Sequence, residues 1–355
     1  MFDRHLRKLA DREKNGGFRF LSSKSSEIDF FSNDYLGFAK VNFTSQSNFG
    51  STGSRLLSGN SKTAERCENR ISEFFQSESA LCFSSGYLAN VALLSTLPMR
   101  GDTILYDELI HASLRDGIRL SFANSMSYRH NDVVDLEKKL ALATGQVYIV
   151  TEGLFSMDGD ICSLPSISIL AKKFKACLIL DEAHSVGVFG KEGRGLVQGM
   201  DLLDMVDIRI VTFGKAFGYH GAAILSSTLI KKILINFARP FIYTTAPSED
   251  FFERILFLLN ESKIRTAQVQ LHKNIDWFRK NILVKNNAEP NSPIQTIFGN
   301  REKLSAQITR LKEFGIYQKP ILSPTVSKGN ERIRICIHSF NKISELNVLK
   351  SALNL

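Results

Sequence analysis

Six short, mostly apolar runs, at residues 80–83, 103–106, 147–151, 177–180, 208–211 and 222–226, recur between about Phe31 and Leu259, with segments of helical periodicity between them. Runs of this kind, without strict alternation, read as strands buried on both faces, and strands that alternate with helices build a mostly parallel sheet with helices on both sides. Open α/β sheets place their ligands outside the carboxyl ends of the strands. The residues that follow each run are therefore the first place to look for chemistry.

Two strand ends are the most telling. Asp181-Glu182-Ala183-His184 follows the run at 177–180, and Thr212-Phe213-Gly214-Lys215-Ala216-Phe217-Gly218 follows the run at 208–211. Taken singly, Asp181 reads as a turn cap, His184 as a core histidine and Lys215 as a solvated loop lysine. Together on adjacent strand ends they suit pyridoxal 5′-phosphate (PLP), whose aldehyde bonds to a lysine amine and whose ring nitrogen stays protonated beside a buried carboxylate. Lys215 is then the anchor, Asp181 the partner of the ring nitrogen, and His184 lies within reach of the phenolic oxygen. Asp-Glu-Ala-His is also the metal-and-ATP box of helicases, a reading that requires Gly-x-x-x-x-Gly-Lys-Ser/Thr. Gly190-Lys191 is followed by Glu192 and Gly214-Lys215 by Ala216, so that loop is missing.

Other strand ends add weaker pieces. Ser84-Ser85-Gly86-Tyr87 opens a helical run at 88–97, and a helix N-terminus with a glycine holds phosphate, although an ordinary strand-to-helix turn looks the same. His111, in His111-Ala112-Ser113, would lie over a pyridine face, yet as a lone histidine it is more often structural. In the stretch from Thr151 to Asp160, Ser156 would donate to the ring oxygen while Glu152 and Asp158 shape the loop.

At 355 residues, 43% hydrophobic and 23% charged, the chain has room for one large domain and a smaller one. The pattern predicts an N-terminal arm over 1–32, helical with a short strand and broken at Gly16-Gly17 and 22–26, then a PLP-binding large domain over 33–260 and a small α+β domain over 261–355. Residues 250–282 read as one long helix into the small domain, where helices at 301–314 and 343–353 accompany strands at 315–321 and 331–338 and a loop at 287–293. Five widely spaced cysteines without a Cys-x-x-Cys pair read as reduced core residues, and no metal site is expected. No run reaches the ~18 apolar residues of a membrane span, and the first residues lack an apolar signal stretch, so the cytoplasm is expected. Of the net charge of +9, six charges fall beyond residue 300, where ten Lys or Arg face four Glu. A solvated surface is the commoner explanation; a polyanionic ligand is the other, and no nucleic-acid motif accompanies the charge.

The chain resembles the α-oxoamine synthases. The likeness runs from about Phe31 to Phe340 through Ser32-Asn33-Asp34-Tyr35-Leu36-Gly37, Gly53-Ser54-Arg55-Leu56-Leu57-Ser58-Gly59, Ser85-Gly86-Tyr87, His111-Ala112-Ser113-Leu114 and Thr151-Glu152-Gly153. It continues through Asp181-Glu182-Ala183-His184, Gly193-Arg194-Gly195, Thr212-Phe213-Gly214-Lys215, Phe237-Ala238-Arg239, Ile242-Tyr243-Thr244-Thr245, Pro324-Thr325-Val326 and Arg332-Ile333-Arg334.

The resemblance implies the fold-type I PLP-dependent transferase architecture, a homodimer with sites at the subunit interface, and decarboxylative condensation of an amino acid with an acyl thioester. It is most similar to the biotin-pathway branch, which uses L-alanine and a pimeloyl thioester of CoA or acyl carrier protein. Serine palmitoyl and glycine acetyl transfer are the runners-up within the family; a non-catalytic PLP-fold protein or a basic nucleic-acid-binding module are the rivals outside it. The resemblance assigns Lys215 to the cofactor aldehyde, Asp181 to the ring nitrogen, His111 to the ring face, and Ser156 and His184 to the phenolic oxygen. It assigns Ser85, Gly86, Tyr87 and Thr212 to the phosphate, Thr245 to the partner subunit's site, and Asn33, Thr325 and Arg332 to the substrate. Arg334 shares the strand face of Arg332, so the carboxylate clamp is one of the two. The chain departs from the family at Ala64 and Cys67, in a shortened 38–49 stretch, and at Leu322-Ser323-Pro324-Thr325 in place of Arg-Pro-Pro-Thr.

Overall fold

The structure, a computed structural model, describes residues 2–14, 17–19, 21, 27–45, 47, 49–282, 288–323 and 325–353. The expected breaks at Gly16 and 22–26, together with Asn287 and Pro324, lie outside them. Helix α1 (Asp3–Lys14) buries no residue, and the only pairing of the arm among the described residues is a single bridge from Ile28 to Ile316. The chain proceeds through α2 (Lys62–Phe74), β1 (Ser79–Phe83), α3 (Gly86–Thr96), β2 (Thr103–Asp107), α4 (Ala112–Leu120) and β3 (Asn124–Tyr128). Next come α5 (Val133–Leu140), β4 (Val147–Glu152), α6 (Leu164–Lys173), β5 (Cys177–Asp181), α7 (Leu196–Gly199), β6 (Ile208–Thr212) and β7 (Ala222–Ser226).

These strands form one sheet in the order β1-β7-β6-β5-β4-β2-β3. Strands β3, β2, β4, β5 and β6 run parallel, and β7 runs antiparallel between β6 and β1, so β1 points the same way as the parallel set. Alternating side chains feed two apolar layers: Ile104, Val150 and Ile179 pack beneath α3 and α4, while Leu105, Ile149 and Leu178 pack beneath α5 and α6. Strand β3 was not apparent from the sequence. As Asn-Ser-Met-Ser-Tyr at the sheet edge, with Asn124 and Ser125 exposed, it lacks the apolar run of its neighbours.

Helices α8 (Thr228–Phe237), α9 (Arg239–Ile242), α10 (Glu249–Leu258) and α11 (Glu261–Asn281) lead to a second sheet. Its elements are β8 (Ile294–Phe298), α12 (Arg301–Glu313), β9 (Pro320–Ile321), β10 (Arg332–Cys336) and α13 (Ile343–Leu353), with the antiparallel strand order β8-β10-β9. Three expectations need correction here. The single helix over 250–282 is two, because Asn260 leaves helical geometry and accepts from the Lys263 amide at 3.0 Å, capping α11. The strand over 315–321 contracts to Pro320–Ile321, since Gly315 takes a φ of +75° at the end of α12. Strand β8, half polar, was missed altogether. Cys67, Cys82, Cys162 and Cys336 are buried free thiols and Cys177 is partly buried. Ala64 and Cys67, two of the departures from the family pattern, sit in the core and line neither of the cavities described below.

Asn260→Ala is expected to lower the unfolding free energy by about 1 kcal/mol, read as a shift in urea denaturation, whereas Asn260→Asp retains the cap and changes little.

Candidate active site

The carboxyl ends of β1, β2, β4, β5 and β6 open on a cavity of about 360 Å³. Eight of the residues expected to hold cofactor line it: Ser85, Gly86, Tyr87, His111, Asp181, His184, Thr212 and Lys215. Asn90, Ser113, Glu152, Tyr219 and His220 complete much of the wall.

One end of the cavity is a helix start. Ser85 caps α3 by accepting from the Leu88 amide at 3.2 Å, which leaves the amides of Gly86 and Tyr87 with no partner in the helix. A Cβ on Gly86 would stand 2.8 Å from Cγ2 of Thr212, so only glycine lets β6 and the helix start approach this closely. The Tyr87 hydroxyl donates to Asp116, tying α3 to α4.

The middle holds the charges. Asp181 is buried; Oδ1 accepts from the Ala183 amide and Oδ2 from Asn90, each at 2.8 Å. Asn90 also donates to Ser113, whose amide in turn donates to Nδ1 of His111. Glu152 lies beside Asp181 in register and accepts from the His111 amide; burial, and then Asp181, push its carboxyl up to about 8. Burial lowers the Lys215 amine to about 8, against the pull of Asp181 and Glu152, with Arg334 lowering it further. Burial, reinforced by Lys215, also lowers His111.

Behind His184, outside the residues that line the cavity, the chain before the large sheet meets β10. Arg334 donates to Asn33 at 2.7 Å and to the hydroxyl of Tyr35 at 3.1 Å. That hydroxyl lies 2.8 Å from Nδ1 of His184 and 3.3 Å from Oδ1 of Asn33. Burial, with Lys215 and Arg334 next, holds His184 well below its usual range, so the ring is neutral.

Asn33 thus stands behind the cavity wall, and four other expected residues lie elsewhere. Ser156, Thr325 and Arg332 line a separate cavity of about 700 Å³, between the loop after β4 and the small sheet. Arg332 is taken up there: it donates to Asp158, to the Met157 carbonyl and to the Asn330 carbonyl at 2.9 Å, and it stacks on Phe298. In the wall of this larger cavity His130 reaches Asp107 at 3.0 Å with one ring nitrogen and Asp160 at 2.8 Å with the other. Burial opposes its charge, but these two carboxylates push its pKa up to about 10, and the imidazolium pins the loop that carries Ser156. Thr245 is exposed and lies outside the Lys215 cavity. Glu182 has a different task from its neighbours. Buried, it accepts from the amides of Leu196 and Val197 and from Ser185, and its Oε1 would lie 2.5 Å from a Cβ on Gly195, which accounts for the Gly193-Arg194-Gly195 turn.

Sequence reasoning passed over Asn90 and His220, gave Glu152 only a loop-shaping role and gave Tyr35 none beyond its motif. Asn90 had a signal, as the one amide in the otherwise apolar stretch Leu88-Ala89-Asn90-Val91-Ala92. The roles of the others depend on contacts between distant segments.

The sequence pattern of the family described as aminotransferase class I and II matches residues 25–347. The chain belongs to that family. Within it, this is an α-oxoamine synthase. The 8-amino-7-oxononanoate synthase of Lysinibacillus sphaericus is 37% identical, with 99% of this chain and 97% of the relative covered, and the enzyme of the same name from Haemophilus ducreyi is 34% identical, with 98% and 96% covered. Among solved structures, a Sphingomonas wittichii serine palmitoyltransferase superposes with a TM-score of 0.89 at 26% identity, covering 99% of this chain and 97% of that one. An 8-amino-7-oxononanoate synthase from Francisella tularensis superposes with a TM-score of 0.77 at 30% identity, covering 92% and 97%.

Members of this family depend on PLP, and the cavity fits it. The volume suits a small ligand, and its wall includes a helix start with free amides, a fixed carboxylate and a lysine with a lowered pKa. The rate at which PLP couples to the apoprotein is expected to rise with pH through about 8, where the Lys215 amine becomes neutral. Asp181→Asn should move that inflection lower, because the lost carboxylate was holding the pKa up. An inflection near ~10.4, the ordinary lysine value, would contradict the burial of this amine.

Proposed function

We propose that the protein is an 8-amino-7-oxononanoate synthase, a C-acyltransferase that condenses L-alanine with a pimeloyl thioester of CoA or acyl carrier protein. One C–C bond forms, the C–S bond breaks to free the thiol, and carbon dioxide leaves. The observation that carries the reading is one cavity shared by Lys215, the fixed Asp181 carboxylate and His184, which the Arg334–Tyr35 pair backs. The curated relatives supply the substrate names.

Bound PLP supplies an electron sink for the carbanion. The protein does the rest. Gly86, Tyr87 and Thr212 would hold the phosphate, Asp181 would keep the ring nitrogen protonated, and His111 would cover the ring face. His184 would reach the phenolic oxygen. Lys215, besides anchoring the cofactor, is the base that would take the α-proton of alanine at Nζ and return it to the product. We assign the amino-acid carboxylate to Arg334 with Asn33, since the guanidinium of Arg332 is already engaged by Asp158. Ser156 and Thr325 belong to the second cavity, which suits the acyl chain. Ser323, from the departed Leu322-Ser323 segment, lines it too.

The same reading includes a homodimer. Tyr243, Thr244 and Thr245 are exposed together, as are Leu56 and Leu57, and Thr245 would reach the phosphate only in a second copy. A division of the chain after residue 260 is part of the proposal, supported by the helix break at Asn260. The higher TM-score with serine palmitoyltransferase favours one alternative, transfer of palmitoyl to serine.

Thiol release should be measured for alanine, glycine and serine, each with pimeloyl, acetyl, succinyl and palmitoyl thioesters. Alanine with pimeloyl is expected to lead, and glycine to fall behind by the ~1–3 kcal/mol of one methyl contact; a lead for serine with palmitoyl would transfer the assignment to the alternative. Arg334→Ala is expected to weaken alanine binding by about 2–5 kcal/mol, whereas Arg332→Ala should leave it nearly unchanged. The reverse order would return the clamp to Arg332.

A further inference from the structure

Strand β7 runs against its neighbours, so its first residue, Ala222, pairs with the last residue of β1, Phe83, and the last residue of β6, Thr212. Whatever precedes Ala222 must therefore emerge where β1 hands over to the start of α3 and where Thr212 leaves the sheet. Gly221 continues this level, accepting from the Phe213 amide at 2.9 Å, and a Cβ on it would lie 3.3 Å from the carbonyl of Phe83. His220 comes next. Its ring is held by Tyr219 and Phe251, with centroids at 4.3 Å and 5.1 Å, and it lines the Lys215 cavity. Among the described residues neither of its ring nitrogens has a hydrogen-bond partner. The chemistry assigned above, at Asp181, His184 and Arg334, leaves it without a task.

We propose that His220 donates a ring N–H to the phosphate of PLP, closing the side of the cradle that the Gly86 and Tyr87 amides and the Thr212 hydroxyl leave open. The proposal rests on the PLP reading of this cavity. His220 is otherwise exposed, and contact with two aromatic rings restricts its imidazole before the ligand arrives, which reduces the rotamer freedom lost on binding. A neutral ring suffices, because one nitrogen always carries a hydrogen.

The test is equilibrium binding of PLP and of pyridoxal, which lacks the phosphate, to the full-length apoprotein, followed by the absorbance of the bound ligand. In His220→Phe, which keeps a ring against Tyr219 and Phe251 but has no donor, PLP affinity is expected to fall roughly 10- to 100-fold, the worth of a hydrogen bond to a charged group, while pyridoxal affinity stays within about twofold. His220→Gln, which regains an N–H, should recover most of the loss. Unchanged PLP affinity in His220→Phe would overturn the proposal, as would an equal loss for both ligands, which would make the residue a packing element. If the unsubstituted protein binds neither ligand, the PLP assignment falls and this one with it.

Discussion

A carboxylate withdrawn from water sets the terms for the rest of the site. Asp181 ends the central strand β5, and its two oxygens must be satisfied by groups that cost the fold something else. Asn90 interrupts the apolar face of α3 to reach it, and the Ala183 amide turns back toward it. Once fixed, that charge propagates. It raises Glu152, which in turn holds the amide of His111, and it works against the burial that neutralises Lys215. The register that aligns Glu152 with Asp181 is thus an electrostatic arrangement as much as a ladder of hydrogen bonds.

The second constraint is that the site is assembled from segments far apart in the chain. Arg334 comes from the small sheet, Asn33 and Tyr35 from the segment after the arm, and His184 from the end of β5, yet they form one hydrogen-bonded line. Asn274 of α11 adds a bridge of the same kind, donating to the carbonyls of His338 and Asn341. The small sheet shares an apolar core with the large one, Val211 and Leu225 lying in the same cluster as Ile333 and Ile335, and the polar line from Arg334 to His184 adds to it, so changes in the small sheet's seating would be felt at His184.

Much of this was legible in the sequence, for identifiable reasons. Parallel strands buried on both faces leave apolar runs, and the strand ends after 177–180 and 208–211 carried the acid, the histidine and the lysine. Local patterns failed where local chemistry was misleading. Amphipathic periodicity runs unbroken across Asn260, and only its cap geometry reveals two helices. Strand β3 is polar because only one neighbour pairs with it. Arg332 and Arg334 are equivalent by alternation, and what separates them is their partners: Asp158, more than 170 positions away, holds Arg332, while Arg334 donates to Asn33 and Tyr35.

His130 gives the fold an alkaline edge. Its pKa rises from 6.5 to about 10 in the folded state because two carboxylates hold its proton. Proton linkage then has a fixed sign: the contribution to stability is complete below about 6.5 and is withdrawn as pH climbs toward 10. Loss of that proton would leave Asp107 and Asp160 facing each other across a neutral ring, and the loop after β4, which forms one wall of the larger cavity, would lose its clasp. An alkaline weakening of that wall would then be a property of the architecture, set by one histidine and the two carboxylates that hold it.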